Sequence, residues 1–273
     1  MATEPGLSQM PPDSVRPPAV AGRFYPGEPG RLRAAVSRLL GAQPGVATQA
    51  PQAVIAPHAG YVYSGAVAGA AFAALRRATP AIDRVVLIGP AHYVAVDGIA
   101  VSTATAFATP LGPVAVDRDA VDAHADLPFV RRTDAAHAPE HALEVELPFL
   151  QAVAASVPIV PLLVGETELD EVAIVLRRLW DIPGTLIVVS SDLSHYHAYE
   201  TARRLDAETA EAIEHGDGTG LGPGQACGFR AVGGLLREVA RRGLARRRIA
   251  LTNSGDTAGP RDRVVGYGAW VFG

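Results

Sequence analysis

Three runs of the chain, RVVLI at 84–88, IVPLLV at 159–164 and TLIVV at 185–189, are apolar and mostly β-branched almost without interruption. A strand with one wet face alternates apolar and polar side chains, whereas a strand covered on both faces does not. Between these runs lie segments of about 10 to 16 residues with helical spacing, too long to be hairpin turns. Strands buried on both sides and separated by helices describe an α/β fold, with a central, mostly buried mixed sheet flanked by helices.

Further strands are predicted at 53–56, within GIAVST and PVAVD, at 248–251 and at 264–271. Helices are predicted at 31–40, 66–77, 140–155 despite Pro148, 169–180 and 201–214, with a last one opening at Cys227 and running to Arg241. GAQPGVATQAPQ reads as a loop, and ATAFATPLG as a loop able to cover a site at the strand ends. No change of composition marks an internal boundary, so one domain is expected over 15–273 behind a flexible tail of residues 1–14.

With 48% apolar and 19% charged residues, the chain can build a core without disulfides or a structural metal. A net charge of −4 and sparse aromatics provide no phosphate-tracking or base-stacking surface, so nucleic acid is not an expected partner. The one basic cluster, Arg241, Arg242, Arg246, Arg247 and Arg248, reads as a solvated helix end. No charge-free apolar run of about 18 residues occurs, which predicts no membrane association. The single cysteine and the lack of a leader-like start give a cytoplasmic expectation.

Open α/β sheets place their chemistry at strand ends. Here AVIAPHAGY ends with His58, RVVLIGPAHY with His92, and TLIVVSSDLSHYH with Asp192, His195 and His197. Gly60 gives the His58 turn close backbone approach or positive φ, and Gly89 with Pro90 is expected to make the turn before His92. If the two strands are parallel neighbours, both imidazoles reach one crevice, an arrangement that suits a transition metal; a structural, carbonyl-bonded histidine is the plainer reading of either alone. No CxxC or HExxH occurs, so such a site is assembled by tertiary structure.

Cys227 is the strongest candidate for a third ligand, reached through the glycine-rich GDGTGLGPG, with a helix N-terminus favouring its thiolate. A nucleophilic cysteine and a small buried residue are the other readings. Asp192 can orient His195, which then serves as general base or acid. Three neighbouring serines keep a Ser-His-Asp hydrolase in view, although the GxSxG elbow is missing and Asp192 also suits an N-cap. Tyr61, Tyr63 and His141 are assigned to substrate contact; packing is the alternative for the tyrosines, and helix pairing with Glu144 for His141.

RPPAVAGRFYPG, APHAGYVYSG, LIGPAHY, EHALEVELPFL, SSDLSHY and ACGF occur in this order over nearly the whole chain after the tail. With these motifs the chain resembles the MEMO family, whose bacterial and archaeal members are called AmmeMemoRadiSam system protein B. The resemblance implies a fold like that of class III extradiol ring-cleaving dioxygenases. It also implies a metal pocket of His58, His92 and Cys227, joined by Asp192 and His195. Iron is the cofactor this implies first. Cys227 stands where those dioxygenases carry a carboxylate, and the softer thiolate brings in copper or zinc and puts catechol cleavage in doubt. Two functions follow as expectations: an iron-dependent, dioxygenase-like oxidoreductase acting on an unidentified small molecule, or a non-catalytic metal- or peptide-binding protein. A metal-independent cysteine enzyme is a third. The resemblance further implies a functional link to AMMECR1-type and radical-SAM proteins.

Overall fold

The three apolar runs become the middle of a sheet, as their lack of alternation requires. The computed structural model describes residues 14–41, 51–76 and 82–273; nearly all of the expected tail and most of the loop over 41–52 lie outside the described residues. In chain order the elements are β1 (Val15–Arg16), α1 (Pro29–Gly41), β2 (Ala53–Ala56), α2 (Tyr61–Leu75), β3 (Arg84–Pro90), β4 (Ile99–Val101), β5 (Ala106–Thr109), β6 (Gly112–Ala115), α3 (Arg118–Asp122) and β7 (Val130–Arg132). They continue as α4 (Asp134–His137), α5 (Leu147–Val153), β8 (Ile159–Val164), α6 (Leu169–Trp180), β9 (Thr185–Ser190), β10 (His195–His197), α7 (Tyr199–His215), α8 (Phe229–Arg242), β11 (Arg246–Asn253) and β12 (Val264–Phe272).

Among the described residues the main sheet has nine strands, ordered β10-β12-β2-β9-β3-β8-β4-β7 with β11 also on β12. The centre, β2-β9-β3-β8, is parallel, and β12 and β4 flank it in antiparallel orientation, so the sheet is mixed. β2, β8 and nearly all of β3 and β9 are buried. α6 and α8 pack together and against β9, while α1, α2 and α5 form a second helical group, in which α2 lies on β2 and β12. This is a single α/β domain with a mixed central sheet and flanking helices.

Three local expectations change. Gly89 and Pro90 do not turn: they stay in β3, paired with Leu163 and Val164, and the chain bends only afterwards. ATAFATPLG is not a lid, because its alternating Phe107 and Thr109 bury to form β5 of a separate three-stranded sheet, β1-β5-β6. The segment 140–155 is not one helix. Glu140 to Leu143 is irregular, Glu144–Glu146 is a 3-10 turn, and α5 begins at Leu147 with Pro148 in its first turn, where the missing amide costs nothing.

The reason for that break is Glu144. It does not pair with His141 on a helix face; it turns inward and accepts from Arg16 Nη1, the Ala19 and Val20 amides and the Tyr25 hydroxyl, at 2.6–2.9 Å. Arg16 also donates to the His137 and Glu140 carbonyls, so the strap 16–25 clamps the loop that carries Glu140 and His141. Both charges are fully buried, a pairing that is costly to break from one side.

Candidate metal centre

Because β2, β9 and β3 run parallel and in register, their C-terminal ends open on one edge of the sheet. His58, Asp192 and His92 each lie two residues beyond those ends. β9 separates the two histidine strands, yet the rings of His58 and His92 approach to 5.2 Å. His141 comes in from the irregular loop and stacks on His92 at 4.9 Å. One nitrogen from each of His58, His92 and His141 falls within 4.8 Å of the other two, forming a cluster able to hold a metal ion.

The rings are fixed from behind. The Ser190 hydroxyl donates to the Ala142 carbonyl at 2.6 Å, so at 2.8 Å it accepts from His58 Nδ1 and leaves Nε2 with the lone pair. The Glu140 carboxylate accepts from His92 Nδ1 at 2.9 Å and from the His92, His141 and Ala142 amides. A carboxylate behind a histidine orients the ring and makes its free nitrogen more basic toward a metal. Burial and the neighbouring His92 press the His58 pKa down to about 3. Burial and His58 press His141 to about 4. Both rings are therefore neutral, and able to ligate, at neutral pH. Burial raises the Glu140 carboxyl, but the bonds from His92 outweigh it and bring the group to about 2.

Behind Ser190 lies Glu146, whose Oε1 is 3.2 Å from the serine oxygen and whose Oε2 has no partner among the described residues. Burial pushes this carboxyl well above the carboxylate range, so it is a neutral acid.

Cys227 Sγ stands 3.4 Å from His58 Nε2 and accepts the Asp192 amide at 3.3 Å. The expected low-pKa thiolate is not found. Cys227 precedes the N-cap Gly228, and burial together with the Asp192 charge pushes its thiol up to about 12, beyond what the helix end offsets. Asp192 does not hold His195 directly. Its Oδ1 accepts from the His58 amide at 2.9 Å, and burial raises its pKa. His195 Nδ1 instead donates to the Leu193 carbonyl at 2.8 Å, which leaves Nε2 as the acceptor. The strand beneath is pinned by Gly266, which bonds Leu193 and Ser194 and approaches so closely that a Cβ there would meet Asp206 at 2.1 Å.

These groups open into one cleft of about 780 Å³, which Tyr63, His141, Asp192, His195 and Cys227 line. Tyr61 does not. It faces the core, donates to the Val145 carbonyl at 2.9 Å and packs on Phe149, because the first turn of α2 already points inward there. Gly60 has φ −55° and serves as the N-cap of α2, so no positive φ is needed.

A family model described as "Memo-like protein" matches residues 16–271. The chain belongs to the Memo-like family. A MEMO1 family protein of Aquifex aeolicus is 35% identical over 278 residues, covering 94% of this chain and 99% of the relative. One from Methanosarcina mazei is 33% identical over 270 residues, covering 94% and 98%.

The roles of several residues around this Memo-like cleft were not signalled by the sequence, although Ser190 and Glu140 stand in its polar clusters. Ser190 and Glu140 act on histidines 132 and 48 residues away. Tyr93, whose hydroxyl is 3.2 Å from His141 Nδ1, reads as ordinary turn sequence. In the Memo-like chain the glycine-rich loop before Cys227 sends only Pro223 to the cleft.

Proposed function

We propose that the chain is a metalloprotein whose ion is held by His58, His92 and His141, with Cys227 drawn in as a further donor. The observation that carries this is the orientation of the rings. The Nδ1 atoms of His58 and His92 are bound to Ser190 and Glu140, which leaves both Nε2 atoms free, in a cluster where one nitrogen of each histidine lies within 4.8 Å of the others. A tetrahedral ion with bonds of about 2.0–2.3 Å needs donors about 3.3–3.8 Å apart, and Cys227 Sγ already stands 3.4 Å from His58 Nε2. Imidazoles with one thiolate suit iron, copper or zinc; the family resemblance favours iron.

The reading extends to catalysis on a small molecule in the cleft, in the manner of a dioxygenase-like oxidoreductase. A bound ion would supply Lewis acidity and, if iron or copper, electrons. His195 Nε2 accepts a proton from the substrate and returns it. The Leu193 carbonyl keeps the ring in the tautomer that makes this possible. Tyr63 and Tyr93 line the entrance and position the substrate. A partly buried free thiol suits a reducing compartment, so the proposed location is the cytoplasm, alongside the AMMECR1-type and radical-SAM proteins that the resemblance implies.

Anaerobic purification with metal analysis tests the reading. The parent chain is expected to retain near-stoichiometric metal, His92→Ala to lose it, and His195→Ala to keep it while losing any substrate-dependent O2 uptake. A parent that binds no Fe(II), Zn(II) or Cu(I), or an unaffected His92→Ala, overturns the metal assignment. Metal retention without O2 uptake on any substrate favours the non-catalytic binding role.

A further inference from the structure

The histidines stand at the C-terminal ends of the parallel strands, and the opposite edge of the sheet has a cavity of its own. α5 ends there, and the chain turns through 154–157 before entering β8. α1 and the β5–β6 hairpin close in on that turn, and Val116, just after the hairpin, bridges to Ile159 at the start of β8. The three elements enclose a groove of about 660 Å³, inside the span of about 300–1,000 Å³ usual for small-molecule sites.

Most of the groove is aliphatic. Val36, Val114 and Leu150 are its buried floor, and the exposed Ala152 and Ala155 leave it open to solvent. Among the described residues no aromatic ring and no carboxylate lines it. Its polar side chains are Arg33, Ser37, Gln151 and Ser156. Gln151 braces the hairpin, accepting from the Thr109 hydroxyl at 2.7 Å and donating to the Gly112 carbonyl at 3.1 Å. The side chains of Arg33, Ser37 and Ser156 form no hydrogen bond or ion pair among the described residues. Arginines elsewhere on this chain commonly face carboxylates, as Arg84 does Asp117 and Arg242 does Asp181. Glu28, near enough to Arg33 to feel its charge, instead accepts the Gly30 and Arg31 amides at 2.8 and 2.7 Å. Arg33 and Ser37 are one turn apart and share a face of α1. Ser156 comes from the turn after α5, and its φ of +66° lies in the left-handed region that disfavours non-glycine residues. Strain of this kind concentrates where a ligand is clamped.

We propose that this groove binds a medium-chain aliphatic carboxylate, its head on the Arg33 guanidinium and the Ser37 and Ser156 hydroxyls and its chain along Val36, Val114 and Leu150. A guanidinium donates to both oxygens of a carboxylate in its fork. One guanidinium and two hydroxyls match a single negative charge, whereas a doubly charged phosphate ester would meet only one cation. A wall of aliphatic side chains without a ring suits a flexible chain, which gains from each methylene taken out of water. The site is remote from the histidines and stands apart from the metal reading.

Calorimetric titration of the metal-free full chain with octanoate, butanoate, octylamine and neutral octanamide tests this. Octanoate is expected to fill a single site about tenfold or more tighter than octanamide, as one charge-assisted bond provides. Affinity should rise about two- to fourfold for each methylene added from butanoate to octanoate. Arg33→Gln should bring octanoate down to the level of octanamide. Ser156→Gly, which relieves the backbone, should keep the fold and weaken octanoate alone. Ala152→Phe, a change at an exposed position of α5, should fill the groove and weaken both ligands about tenfold or more. Zinc should leave every affinity unchanged, because the histidines lie at the other edge of the sheet. Equal binding of octanamide or octylamine, no octanoate binding at millimolar concentration, an affinity that survives Arg33→Gln or Ala152→Phe, or competition between zinc and octanoate overturns the proposal. Failure of the chain to bind zinc strikes the metal reading alone.

Discussion

The protons released on metal binding decide how Cys227 takes part. The His58 and His141 rings, held near about 3 and about 4, are already deprotonated at pH 6, so they contribute no pH dependence above it. Cys227 is different, because its thiol is pushed up to about 12 and must lose a proton to become a donor. At pH 7 that deprotonation costs up to about 7 kcal/mol, five units at about 1.4 kcal/mol each; the half-buried position makes this an upper figure. Apparent zinc affinities of about 10–16 kcal/mol in structural sites are large enough to cover it. The zinc affinity of the parent should therefore rise about tenfold per pH unit, about a hundredfold from pH 6 to pH 8. Competition against a chelator of known protonation, combined with calorimetry in buffers of different ionisation enthalpy, measures both slope and protons. Cys227→Ala should lose one released proton and one unit of slope relative to the parent. A parent slope indistinguishable from that of Cys227→Ala refutes the thiolate and leaves the three imidazoles as the whole donor set.

Glu146, raised by burial from its ordinary 4.5, contributes stability that is fully present below about pH 4.5 and is lost as pH rises toward its folded value. Glu146→Gln should remove up to about 1.4 kcal/mol of that loss per pH unit, seen as a shallower fall of the urea midpoint from pH 5 to 8; identical profiles would contradict the neutral-acid assignment. Glu140→Gln deprives His92 of its carboxylate and should cost about 10- to 100-fold in metal affinity, read in the same competition assay. Arg16→Met leaves the Glu144 carboxylate buried without its countercharge and should destabilise the fold by about 3–5 kcal/mol in urea; a loss under about 1 kcal/mol would show that the pair contributes little.

The central sheet was legible because β3, β8 and β9 are covered on both sides, and continuous apolar runs have few other stable placements. The strand-end positions of His58, His92 and Asp192 followed from it. What the pattern could not reveal was set by contacts distant in sequence. Leu143, Leu147 and Leu150 suggest a continuous helix until Glu144 is seen buried against Arg16, 128 residues earlier. The motif favours Tyr63 only mildly over Tyr61 for the pocket, and it is the placement of Phe149 and Val145 that sends Tyr61 inward. The helix N-terminus beside Cys227 suggested a thiolate, since a sequence does not show how deeply a thiol is buried or which carboxylate lies beside it.

The four bonds that converge on Glu140 have a mechanical consequence. One carboxylate grips the backbone of His92, the ring of His92 and the backbones of His141 and Ala142. His92 and His141, from opposite ends of an excursion of the chain that carries β5 and β6 of the small second sheet, are thereby riveted into a single part bearing two donors. An ion that draws one of them inward carries the other with it. Adjustment to ions of different radius then falls to the other side of the pocket, where His58 and Cys227 belong to separate segments of chain.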